Sequence, residues 1–267
     1  MCATDAGNHE GGAATSDYDR VCDADFPFGP RLSSSTRLRL SRGLYNIDMP
    51  NKTYGQLCPM ARALDVLGDR WTLLVIRELL LGPKRFKDLL AIMPAMGANR
   101  LSERLAMLVE SDVLQPTTLP APAAAPAYEL TELGEQLRKP VIALGLWGLR
   151  LPVDERIDPS SARAELIALC LTGSSNPASS AGLRALYEFH VGAEVFHVPV
   201  NDGKVLVRSG PSAEPPDLTV QCDMETFMAL ALRQVTPAHA LREGRATLLQ
   251  GSRQAFTQVF KVLEYRP

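Results

Sequence analysis

The chain has 267 residues, with 28 Lys and Arg against 30 Asp and Glu, for a formal net charge of −2, and its isoelectric point lies near 6.1. That balance excludes a general polyanion binder, which needs a large basic excess. Five scattered cysteines argue against a disulfide scaffold, and no apolar run is long enough for a signal peptide or a membrane span.

In residues 1–50, Asp5, Asp17, Asp19, Asp23 and Asp25 alternate with Gly, Ser and Ala, and Arg31, Arg37, Arg39 and Arg42 punctuate a Ser-rich run. The aliphatic content is too low to offset ordering entropy, so a largely disordered extension is expected. The Arg and Ser run reads either as a solvated tail or as an arm touching phosphates, and Met49 is an alternative start. With this stretch set aside, about 220 residues remain, enough for two domains that each bury a core.

Residues 69–81 read as a central helix. Asp69 is placed to cap it and Gly82-Pro83 to stop it. Trp71, Leu74, Val75 and Leu79 share one face while Leu73, Ile76 and Leu80 cover much of the other. Next, Phe86, Leu89, Leu90 and Met93 repeat at helical spacing over 85–93, closed by Pro94 and a turn at Gly97. Residues 96–110 form the most telling helix. Leu101, Leu105, Leu108 and Val109 make one inward stripe, which turns Asn99, Glu103, Ala106 and Met107 outward with Arg100 and Arg104 flanking. An outward Asn and Arg near a helix start suits a DNA groove, since Arg can form two hydrogen bonds to guanine and Asn two to adenine. The same pattern also fits a plain solvated face.

The period then changes. Residues 113–118 and 128–130 look extended, and the Pro and Ala run over 119–127 should not continue either as a regular ladder. Helix, turn, helix, hairpin is the order of a winged helix. Residues 131–149 follow as a final helix kinked at Pro140, with Val141, Ile142, Leu146, Trp147 and Leu149 giving an apolar surface. That surface is covered either by a second copy or by the chain's own second half.

After Pro152 and Asp158-Pro159 the pattern becomes α+β with an antiparallel sheet. A helix is expected over 161–171 and a loop over 173–177. Strands follow near 184–191, 194–200, 204–208 and 217–221, with a hairpin turn at Asn201-Asp202-Gly203, where Gly accepts positive φ. Asp223 can cap a helix through Leu232. A helical turn over 237–241, a strand over 245–249 and a helix over 252–263 close the chain. The expected domains are thus 1–50, 51–150 and 151–267.

The blocks Cys58-Pro59-Met60, Gly68-Asp69-Arg70-Trp71-Thr72, Arg85-Phe86-Lys87-Asp88-Leu89, Leu101-Ser102-Glu103-Arg104-Leu105 and Tyr128-Glu129-Leu130-Thr131-Glu132-Leu133-Gly134 resemble, in order, the signatures of HxlR-type transcriptional regulators over about residues 53–149. The resemblance implies a winged helix acting as a homodimer on an imperfect promoter palindrome in double-stranded DNA, commonly as a repressor. It puts Gly97 at the recognition-helix cap, Ala98, Asn99, Arg100 and Ser102 against bases, and Arg104 near the backbone. Lys84 and Arg85 complete a small basic patch. One departure concerns the wing, where such regulators usually carry a basic residue and residues 115–127 here have none. Weaker nonspecific binding follows, since every missing phosphate partner lowers affinity and flattens its salt dependence. Residues 51–150 hold 12 Lys or Arg against 10 Asp or Glu, so charge there is local rather than general.

The second half resembles the sterol-carrier-protein-like fold over about 162–263. Asp217-Leu218-Thr219-Val220, the Asp-capped helix with Phe227, Met228, Leu230 and Leu232, and Ala240-Leu241-Arg242-Glu243-Gly244-Arg245-Ala246 leading to Leu248-Leu249-Gln250-Gly251 carry the likeness. It implies a pocket for a lipid-like or other small apolar effector. Phe227, Met228, Phe256 and Phe260 are candidates for its lining, or for a filled core at the same spacing.

Cys2, Cys22, Cys58, Cys170 and Cys222 read as reduced thiols in a cytoplasmic protein. Cys58 stands where some regulators of the resembled family keep a redox-reactive thiol, and a helix N-terminus favours the thiolate; Cys-Pro also occurs in the family without a sensing role. His190 and His197 could face each other across a hairpin, but no ligand is spaced to complete a metal site. No nucleophile elbow, phosphate-cradling loop or paired carboxylates point to an enzyme or a cofactor. Two readings remain: a dimeric DNA-binding regulator controlled by a small apolar ligand, and a lipid or acyl-chain binding module whose winged domain serves mainly for dimerisation.

Overall fold

Short helices dominate the first half because turn residues interrupt the apolar repeats every ten residues or so. The computed structural model describes residues 53–152, 154–173 and 177–263; the expected disordered extension, Cys2 and Cys22 lie outside them. The first half contains α1 (Pro59–Leu67), α2 (Thr72–Leu80), α3 (Phe86–Ile92), α4 (Ala98–Glu110), the hairpin β1 (Leu114–Thr118) and β2 (Pro126–Leu130), then α5 (Glu132–Glu135) and α6 (Arg138–Gly148). Pro59 opens α1 at the first helical position, where its missing N–H costs nothing. α2 starts later than expected. Asp69 is not its N-cap; its carboxylate accepts the Trp71 N–H at 3.0 Å just before the first turn.

Val75, Ile76, Leu79 and Leu80 of α2 meet Leu89 of α3 and Leu101, Leu105 and Leu108 of α4 in one buried cluster. The inward stripe of α4 is therefore as the spacing predicts. The ladder of the hairpin runs further into the Pro and Ala stretch than expected, with Thr117 opposite Ala127 and Thr118 opposite Pro126. A proline at a strand's first residue gives up no central bond. Lys84 adds a bridge to the hairpin, exchanging backbone hydrogen bonds with Tyr128 at 3.1 and 2.9 Å.

The expected kinked helix over 131–149 is two helices. Thr131 caps α5 by accepting the Gly134 N–H at 3.0 Å, and the break falls between α5 and α6, before Pro140. Pro140 sits in the first turn of α6, where backbone N–H groups lack intrahelical acceptors anyway. Gly134 is required by a close approach, since a Cβ there would lie 2.1 Å from the Val113 carbonyl oxygen. Ile142 on α6 is buried, and its Cγ2 would be 2.3 Å from a Cβ added at Gly173 in the second half. Leu144, Trp147 and Leu149 stay exposed. One face of α6 thus packs on the chain's own second half and another remains uncovered.

The second half contains α7 (Ala164–Leu171), α8 (Pro177–Ser180), β3 (Arg184–Val191), β4 (Glu194–Asn201), β5 (Lys204–Val205), β6 (Arg208–Ser209), β7 (Leu218–Cys222), α9 (Met224–Ala231), α10 (Pro237–Arg242), β8 (Ala246–Gln250) and α11 (Arg253–Val262). The sheet runs β5-β4-β3-β7-β8, with β6 also paired to β4. It is antiparallel except that β3 and β7 run parallel. The Asn201-Asp202-Gly203 turn forms as expected, with positive φ at Asp202 and Gly203. Asp223 caps α9 through the Thr226 N–H at 2.7 Å, and Ser252 caps α11 through the Ala255 N–H at 3.1 Å. Alternation puts Tyr187, Phe189 and Val191 on one sheet face, where Phe189 meets Phe227 of α9 and Phe260 of α11 edge-on. Both halves belong to one compact unit, and none of the described helices is long and apolar enough to cross a membrane.

Candidate nucleic-acid interface and the contact behind it

The start of α3 is set by a charged clasp. Arg85 is the extended N-cap, and the Asp88 carboxylate accepts its Nε at 2.7 Å and its Nη2 at 2.9 Å. The Arg85 hydrogen bonds hold the Asp88 carboxyl below its ordinary value. After α3 the chain makes a single 3-10 turn over Pro94–Met96 and passes through Gly97, whose φ of 76° redirects it into α4. With its apolar stripe fastened inside, α4 leaves Ala98, Asn99, Arg100, Ser102, Glu103 and Ala106 exposed. An open hollow borders its first turn, lined by Met96, Gly97, Ala98, Asn99, Arg100 and Glu103. Met107, expected outward, is half-buried against the core.

Two of the expected DNA-facing cations are engaged within the fold and one is removed from the surface. Arg85 is held by Asp88. Arg104 pairs with Asp69 at 2.8 Å, tying α4 to the turn before α2. Lys84 is a correction: its side chain is turned toward the second half and buried, and its ammonium donates to Ser209 Oγ at 2.8 Å. Lys87, in the first turn of α3, is exposed instead. The wing hairpin carries no basic side chain, and Gln115 and Glu129 face each other across it at 2.8 Å.

Behind α2 lies a group of charges that the spacing of apolar residues did not reveal. Glu78 is fully buried; Arg163, in the segment leading into α7, donates Nη1 to both of its oxygens at 2.9 Å, and the neighbouring Arg77 reaches one at 2.6 Å. Arg163 also pairs with Glu165, and Glu165 accepts the Ser209 hydroxyl at 2.6 Å. Burial pushes the Lys84 pKa down, opposed by Glu165 and Glu78. For Arg163 burial acts the same way, but the two carboxylates outweigh it and the guanidinium is held more firmly charged. Beside this group, Ser209 N–H donates to Leu81 O at 2.9 Å, and Leu80 O accepts from Arg208 at 2.9 Å and from Arg138 at 3.0 Å. A glutamate inside the helix Thr-Leu-Leu-Val-Ile-Arg-Glu-Leu-Leu was the legible signal, since a buried carboxylate requires cations.

Of the expected pocket lining, Phe227 and Phe256 are fully buried in an aromatic cluster with Phe189, Phe196 and Phe260, so they fill a core rather than bound a cavity. Met228 is half-buried. A hollow of about 440 Å³ lies beside that cluster, with Leu230, Val235 and Phe260 as its apolar wall and Arg233 and Lys261 at its edge. His190 and His197 are diagonal rather than opposed: His190 pairs with Glu188 at 2.8 Å and His197 Nδ1 lies 2.9 Å from Gly210 O. Cys58 is exposed at the N-cap of α1.

The model of the HxlR-like helix-turn-helix family matches residues 66–154, and that of the SCP-2 sterol transfer family matches residues 166–264. The chain is similar to the HTH-type transcriptional regulator YodB of Bacillus subtilis, 35% identical over 92 residues, covering 34% of this chain and 82% of that protein. It is also similar to the uncharacterized HTH-type transcriptional regulator YvaP of the same organism, 32% identical over 39% of this chain and 94% of that protein. Among solved structures, quinone-bound YodB from B. subtilis aligns at 32% identity and a TM-score of 0.31, covering 36% of this chain and all of that one (100%).

Proposed function

Because the chain belongs to the HxlR-like helix-turn-helix family and continues into an SCP-2 sterol transfer family domain, we propose that it is a sequence-specific, DNA-binding transcriptional regulator. The observation that carries this reading is the exposed edge of α4. Ala98, Asn99, Arg100 and Ser102 stand clear of the fold at the end of a turn, while Leu101, Leu105 and Leu108 hold the helix rigidly behind them. Those side chains enter the major groove, with Arg100 and Asn99 able to read guanine and adenine. Arg85 and Lys87 lie near the start of α3 for phosphate contact, and Arg104 acts through Asp69 as a brace for α4.

The functional form is a homodimer, since the exposed Leu144, Trp147 and Leu149 of α6 make an apolar face that a second copy would cover. Two α4 helices then meet a palindromic promoter site, where the protein represses. A small apolar effector would occupy the hollow walled by Leu230, Val235 and Phe260, not the filled aromatic core. A mobility shift on the DNA upstream of the protein's own gene tests the reading. A specific shift is expected, and it should be lost when Asn99 and Arg100 become Ala. The second reading, a lipid or acyl-chain module, is favoured by the SCP-2 match; it requires binding of a fluorescent fatty acid with no DNA shift.

A further inference from the structure

The contact between the two halves is built from charges that neither half can keep dry alone. Glu78 is fully buried, and Arg163, which grips both its oxygens, comes from the other half. Lys84 is nearly as buried, and its ammonium meets Ser209 of β6, whose hydroxyl passes on to Glu165. Separation removes Arg163 from Glu78, which keeps only Arg77 on one oxygen, and removes the Ser209 hydroxyl from Lys84, while Arg163, Glu165 and Ser209 stay together in the second half. A partial opening would leave Lys84 dry without its hydroxyl and Glu78 dry with a cation on one oxygen only, which is less favourable than either full contact or full hydration. The contact is therefore favoured either fully docked or fully hydrated rather than half open.

The docked state holds the helix-turn-helix at its base. β6 donates the Ser209 N–H to Leu81 O at 2.9 Å, and Arg208 reaches Leu80 O at 2.9 Å, both at the end of α2. Lys84 stands one residue before the N-cap of α3, and its backbone is paired with Tyr128 of the wing strand β2. One residue thus joins the second half, the start of the helix-turn-helix and the wing. Building on the DNA-binding reading above, we infer that the second half positions the DNA reader. Docking of Arg163, Glu165 and Ser209 onto Glu78 and Lys84 keeps α2, α3 and the wing in the arrangement that binds DNA. Undocking weakens binding without altering any side chain that faces DNA. A molecule that prefers the undocked second half would act as an inducer to the extent of that preference.

The test uses the full chain and a fluorescently labelled duplex carrying the DNA upstream of its own gene. Ser209→Ala removes the hydroxyl between Lys84 and Glu165 with little change in volume, and Arg163→Gln removes a cation from Glu78. Val259→Ala, in the buried core of α11, controls for lost stability. Ser209→Ala and Arg163→Gln should weaken binding about tenfold at an unchanged salt slope, whereas Val259→Ala should change it by less than about twofold. Amide hydrogen exchange at Lys84 and Tyr128 should accelerate in the two contact variants alone. Affinity of Ser209→Ala equal to that of the unaltered protein, or unaltered exchange at these two amides, overturns the inference. Where Arg163→Gln fails to fold, Ser209→Ala decides. Failure of the unaltered protein to bind the duplex would refute DNA reading itself, and exchange at Lys84 and Tyr128 would still decide whether docking holds the reader.

Discussion

Lys84, just ahead of α3, and Arg100 on α4 are both cations of the helix-turn-helix stretch, yet the fold gives them opposite tasks. Arg100 stays exposed on α4, while Lys84 is buried against Ser209. Helical spacing separates inward from outward on α4 because its stripe is fully apolar; it is silent about Lys84, whose burial depends on Ser209 of β6, 125 positions further along the chain. Arg100→Ala should cost about 1–3 kcal/mol of discrimination between the specific site and mismatched duplexes if Arg100 reads a base. Equal loss on every duplex would mark a phosphate contact instead. The cysteines give a second outcome at this scale. Cys222 is buried and its thiol is pushed up to about 12, first by burial and then by Asp223. Brief alkylation of the native protein, mapped by mass spectrometry, should label exposed Cys58 and spare Cys222. A Cys58 rate no greater than that of free cysteine would leave the structural reading of Cys-Pro and remove the redox-reactive one.

At the level of elements, caps were legible in part: Asp223 caps α9 as expected, while Asp69 does not cap α2. Asp223 was readable because a cap is satisfied within three residues and needs no distant partner; the structure adds Ser252 as the cap of α11. The Asp223 carboxyl lies below its usual 3.8, chiefly through its hydrogen bonds with Thr226. A carboxyl lowered by folding contributes stability that is complete above the unfolded value and is lost as pH falls through the folded one. Asp223→Ala should therefore lower the melting temperature at neutral pH, by a cap worth about 1 kcal/mol, and the gap should close as pH drops below 3.8. Less legible were the break between α5 and α6, which falls before Pro140, and the close approach of Gly134 to the Val113 carbonyl, which depends on the chain just ahead of β1. Gly134→Ala should destabilise by about 1–3 kcal/mol through overpacking, measured by urea denaturation; an unchanged midpoint would show that the turn can shift.

For the whole molecule, the exposed apolar face of α6 matters most. Replacing Leu144 and Trp147 together by Ser should convert a dimer to a monomer in analytical ultracentrifugation while leaving the fold intact, because both side chains are about half exposed or more, at 49% and 59%. The same variant should bind DNA with a shallower concentration dependence, as the two half-sites would be filled independently. The type of each half was readable from residue order: periodicity and the Asn201-Asp202-Gly203 turn are local, and each declares its element within a few residues. What only the tertiary structure decided is how the halves meet. Glu78, Lys84, Arg163, Glu165 and Ser209 are scattered over 132 positions and share no spacing. Their meaning comes from burial, which forces a charge to find its partner wherever the chain brings one.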